Sequence, residues 1–206
     1  MATYSSIAHN FTPPAATTSA QVGAGANILL KEITASSDAT ISFQDGSNGV
    51  VLDNTYRIYI FKFYNIHPAT DFVHLTFQGN ASGASGFNET IQSGMFESNN
   101  GESGSAQFQY EGAGDQGNGT SFQQIIRGIG NDADQSGAGE LWLYNPSDTT
   151  HVTLWNCTGL SYTDDNKSRV LHTAGFFNVT SAIDEIQFKM SSGNIDSGTF
   201  QLWGIV

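Results

Sequence analysis

Carboxylates are the commonest side chains here that could carry chemistry: 19 Asp and Glu stand against 7 Lys and Arg, 5 His and a single Cys. Hydrolysis of a glycosidic bond needs two of them across a cleft, one to give a proton and one to attack or to activate water. Most sit instead beside Gly, Ser or Asn, as in Asp45-Gly46, Glu102-Ser103, Asp115-Gln116-Gly117 and Asp132-Ala133-Asp134, which is turn composition. Residues 131–137 open like a calcium loop, with oxygen donors at alternate positions and then Gly. The twelfth position counted from Asp132 is Leu143, however, where that loop needs Glu. His9, His67, His74, His151 and His172 are isolated in sequence and give no zinc-ligand spacing. Nucleophile elbow, Walker loop, dinucleotide fingerprint, HExxH and paired-Cys motifs are absent. The expectation is a protein that is not an enzyme and has no metal or other cofactor.

Aromatic side chains offer binding rather than bond-making. Trp142, Tyr144, Trp155 and Trp203 lie in strand-like runs from which they could project and stack on the sugar rings of a glycan. The same four could fill the second layer of a sandwich or an oligomer seam, and both readings stand. Cys157 cannot form an intrachain disulfide and falls in an apolar run, where a buried inert thiol is expected.

A formal net charge of −12 repels phosphates and anionic lipid, so neither nucleic acid nor a membrane is an expected partner. Residues 1–10 lack the basic start and apolar stretch of a signal peptide, and no run approaches 18 apolar residues.

The elements that must carry these side chains are short runs in which sides alternate every second residue. Residues 28–33 and 39–43 are the first, with Ser36-Ser37-Asp38 as the turn between them. Residues 56–64 put Tyr59, Phe61 and Phe63 on one face and Ile58, Ile60, Lys62 and Tyr64 on the other. Such a strand needs covering on both sides, by the second sheet and by a loop or a subunit. In residues 72–78, Val73, Leu75 and Phe77 point inward while His74, Thr76 and Gln78 face water. Further runs cover 106–110, 122–129, 137–144, 151–160, 168–177, 183–190 and 199–206, and the apolar Val206 is expected to dock in the fold.

About ten short strands without an amphipathic helix predict an all-β fold, an antiparallel β-sandwich that is jelly-roll-like, with an immunoglobulin-like order still open. One domain suits 206 residues. Residues 1–27 hold almost no large apolar side chain and read as a flexible N-terminal arm, with Phe11, Pro13 and Pro14 as its candidate assembly residues. Residues 28–206 read as the sandwich, with a Gly-rich excursion at about 79–119.

Residues 33–43, residues 174–178 and above all the block from Ser181 to Ile205, Ser-Ala-Ile-Asp-Glu-Ile-Gln-Phe-Lys-Met-Ser-Ser-Gly-Asn-Ile-Asp-Ser-Gly-Thr-Phe-Gln-Leu-Trp-Gly-Ile, resemble structural proteins of tailed bacteriophages, many infecting aquatic bacteria. The resemblance implies a β-sandwich virion subunit, a capsid decoration or cement protein or a tail-fibre component. It also implies a homotrimer that contacts other virion proteins such as the major capsid protein, at the virion surface after assembly in the host cytoplasm. It brings no catalytic motif. The small size and the arm favour decoration; the alternative is a fibre or adhesin subunit that binds a host surface glycan.

Overall fold

The computed structural model describes residues 27–206; Phe11, Pro13, Pro14 and the rest of residues 1–26 lie outside the described residues. The described chain contains no helix and thirteen strands. They are β1 (Asn27–Asp38), β2 (Ile41–Gln44), β3 (Ile58–Pro68), β4 (Val73–Ala81), β5 (Ile91–Gly101), β6 (Ala106–Tyr110), β7 (Gly117–Gly119), β8 (Gln123–Ile129), β9 (Gly137–Tyr144), β10 (Leu154–Tyr162), β11 (Lys167–Phe177), β12 (Ile183–Met190) and β13 (Ile195–Ile205).

Two antiparallel sheets pack face to face. The larger runs β1-β13-β3-β9-β10-β11-β5-β6, with β7 also paired to β5; the smaller runs β2-β12-β4-β8. Eight of these strands, β1 to β4, β8, β9, β12 and β13, form a complete framework. Counted along the chain, one of its sheets orders them first, eighth, third, sixth and the other second, seventh, fourth, fifth. That is the doubled Greek key of a jelly roll, and it excludes the immunoglobulin-like order. Two insertions, β5 to β7 and β10 to β11, extend the larger sheet beyond β9. Residues 79–119 thus contain the end of β4 and all of β5, β6 and β7.

The core follows the alternation of side chains. Phe43, Phe61, Phe63, Phe77, Phe188 and Phe200 meet edge-on or tilted, with ring centroids 5.3 to 6.4 Å apart. Such pairs add about 0.5–1.5 kcal/mol each beyond the burial of their area. At Gly159 a Cβ would lie 2.0 Å from the Ile125 carbonyl oxygen. β8 therefore crosses β10 where only glycine leaves room.

Several boundaries and faces differ from those the sequence predicts. β1 continues through the expected turn, because Ser36 and Asp38 still pair with Ser197 and Ile195 of β13. Asp38 also accepts the Ser36 backbone N–H at 2.8 Å. β3 starts at Ile58 and runs on to Pro68 across an irregularity at Asn65, which adopts φ 53. Gln78 does not face water but is fully buried. Its amide donates to the carbonyls of Glu89, Thr120 and Ser121 at 3.0, 3.2 and 3.2 Å, so two loops cover that face of β4. Thr76 is buried beside it and donates to the Lys189 carbonyl at 2.8 Å. Val206 is exposed just past the end of β13; the sheet holds the strand, which lies between β1 and β3, rather than the final residue.

Candidate functional site

Strand alternation places one set of side chains on the outer face of the larger sheet, and cross-strand register aligns them in rows. One row reads Leu29, Trp203, Ile60, Trp142, Asn156, Ala174, Gly94 across seven strands. The row on one side reads Asn27, Ile205, Ile58, Tyr144, Leu154, Phe176, Gln92. On the other side it reads Glu32, Gln201, Lys62, Glu140, Thr158, His172, Phe96, Tyr110. The first two rows carry no charged residue, although the chain as a whole carries −12.

This face also collects the apolar exposure of the molecule. Among the described residues, eight of the ten exposed large hydrophobic side chains project from it: Leu29, Tyr64, Phe96, Phe108, Tyr110, Tyr144, Leu154 and Leu160. Phe108 is 73% exposed, on a strand whose five residues include none that is buried. Soluble monomers rarely expose contiguous apolar patches beyond a few hundred Å². Eight strands spaced about 4.8 Å apart, with rows about 7 Å apart, give a face of roughly 700 Å².

Of the aromatic residues singled out in the sequence, Trp142, Tyr144 and Trp203 share this face. Trp142 Nε1 donates to Glu140 at 2.9 Å and Trp203 Nε1 to Gln201 at 3.1 Å, while Lys62 Nζ lies 5.4 Å from the Trp203 ring. Ile60 is buried between the two tryptophan strands, so neighbours in the same sheet, and not a loop, give β3 its outer cover. Trp155 is corrected out of the set. Its indole is 2% exposed and meets Phe77 edge-on with centroids 4.9 Å apart, because odd-numbered positions of β10 point into the core. It can neither stack on a glycan nor line an external seam. Leu29, Tyr64, Phe96, Phe108, Leu154 and Leu160 were not singled out from sequence; the signal lies in the register that aligns them, which a single strand does not reveal.

Titratable groups elsewhere serve the fold. Arg127 bridges Glu97 at 3.0 Å and Glu111 at 2.6 Å, and Arg169 lies 3.3 Å from Glu97, tying β8 to β5 and β11 between the sheets. Burial pushes the Glu111 carboxyl up, but the Arg127 guanidinium, the Ala113 backbone N–H and the Gln109 amide together outweigh this and hold it below its ordinary value. Burial drives the Cys157 thiol far above its usual range, which keeps it protonated and inert. The turn at residues 131–137 is closed by Gln135, whose side-chain oxygen accepts the Asp132 N–H at 3.1 Å. Among the described residues, no three His, Cys, Asp or Glu side chains gather as a metal site.

No protein-family model, curated protein or solved structure matches the chain. Fold and surface together define an all-β jelly-roll sandwich with an enlarged sheet whose outer face is rich in exposed apolar side chains and carries two uncharged rows.

Proposed function

We propose that the protein is a non-enzymatic structural subunit of a bacteriophage particle, a capsid decoration or cement protein that coats the head as a homotrimer. The observation that carries this reading is the outer face of the larger sheet. A strongly acidic chain keeps two adjacent rows of that face free of charge while crowding the face with exposed Leu, Phe and Tyr. Its area of roughly 700 Å² is close to the roughly 800 Å² per partner that stable protein interfaces bury. The face as a whole, with Leu29, Trp203 and Tyr64 at its β1, β13 and β3 end, serves as the protein contact. The acidic remainder keeps the subunit soluble before assembly. The particle itself and the trimer rest on the resemblance of residues 181–205 to phage structural proteins. Fold alone would not supply them.

Imaging of virions with a label attached at the exposed C-terminus tests the reading. Label over the head is the expected result, and particles free of the protein would overturn it. Label on the tail alone would move the assignment to the second reading, a fibre or adhesin subunit that holds a host glycan. One feature favours that alternative: an uncharged depression on the inserted strands of the same face.

A further inference from the structure

The two insertions build something the eight-stranded framework does not need. Where β10, β11 and β5 lie side by side, the outer face sinks into a depression of about 280 Å³. Its floor is low because two consecutive positions of one row are Ala174 and Gly94. A Cβ built on Gly94 would meet nothing closer than the Tyr110 hydroxyl at 3.9 Å, so the space above it is open. The Phe96 ring forms a wall, held edge-on by Tyr110 with centroids 5.5 Å apart.

The polar rim is pre-oriented. Tyr144 donates its hydroxyl to Asn156 Oδ1 at 2.6 Å. This fixes the amide and leaves the Nδ2 donors without a partner among the described residues. Thr158 Oγ1 lies 3.2 Å from His172 Nδ1. Thr158 and His172 thus form a polar pair beside Asn156 on the rim. The depression thus combines an aromatic wall, a floor without side-chain bulk and a polar rim of Asn156, Thr158 and His172, with no Asp, Glu, Lys or Arg among its lining.

We infer that this depression is a binding site for a single non-ionic pyranose ring, a terminal or branch sugar of a glycan. The C–H face of a pyranose packs on an aromatic ring, and its hydroxyls accept from amide and imidazole N–H groups. An anionic sugar would find no Lys or Arg in the lining. A volume near the lower limit for small-molecule sites suits one ring rather than an extended chain. The inference deepens the glycan-holding reading above and rests on it.

The test uses the full chain and the methyl glycosides of glucose, galactose, mannose and N-acetylglucosamine at millimolar concentration, read by saturation-transfer NMR. At least one should receive saturation from the protein. Gly94→Leu, which fills the depression, should cut that signal at least tenfold while leaving the circular dichroism unchanged. Should Gly94→Leu fail to fold, His172→Ala on the exposed rim decides in its place, with a weaker signal expected. Binding undiminished in the folded variant would overturn this site yet leave glycan binding itself standing. Absence of binding by all four sugars would sink both.

Discussion

His74 shows how one side chain couples this fold to pH. Burial, and then the nearby Arg127 guanidinium, lowers its pKa below the ordinary 6.5. The neutral ring accepts the Gly128 backbone N–H on Nδ1 at 2.9 Å. The unfolded chain takes up the proton near 6.5 while the folded chain resists it to lower pH. The contribution is therefore complete above about 6.5 and fades as pH falls below it. His74→Gln keeps an acceptor for Gly128 without a titrating group. Denaturant midpoints measured at pH 7 and pH 5 should differ less in this variant than in the parent, and an equal difference would contradict the assignment. At this scale the sequence is only partly legible. Trp203 follows from the strict alternation with Phe200 and Leu202 in the core. Trp155 does not, because Leu154 and Leu160 make the opposite face of β10 apolar as well. Only the smaller sheet, by placing Phe77 against the indole, decides which way it points.

Among the strands, β13 holds the framework together, since it pairs with β1 along one edge and β3 along the other. Deleting residues 199–206 removes the core side chains Phe200 and Leu202 and strips both partners of their ladder. Losses of buried Phe or Leu cost about 2–5 kcal/mol each, comparable with the whole stability of a domain. Thermal unfolding followed by circular dichroism should therefore lose its cooperative transition, and a retained sharp transition would contradict this account of β13. Most strands were legible because their patterns have a period of two, and the sandwich followed from their number. The order of strands was not, since periodicity carries no information about partners; pairing of β1 with β13 joins opposite ends of the chain. The extent of β3 was hidden for a local reason. Asn65 at φ 53 sits opposite the region of Gly198 at φ 135, where a Cβ would fall 2.7 Å from Ile66 Cδ1. This break in alternation mimics the end of a strand in sequence. Burial of Gln78 was equally hidden, because the loops that cover it come from residues 89 and 120–121.

The whole molecule sets an acidic jelly roll behind a sheet face that collects its exposed apolar side chains. Two insertions widen that face, and the depression lies on the widened part. The apolar surplus was legible in the doubled face of residues 56–64; its full extent came only from the register that brings β5, β6 and β10 alongside. Sedimentation equilibrium at micromolar concentration tests most directly whether this surface joins proteins together. The account predicts a trimer of the 22.0 kDa chain, converted to monomer by Leu29→Glu with Tyr64→Glu, two exposed sites whose change leaves the core intact. A parent protein that sediments as a single chain, or a trimer indifferent to both substitutions, would contradict it.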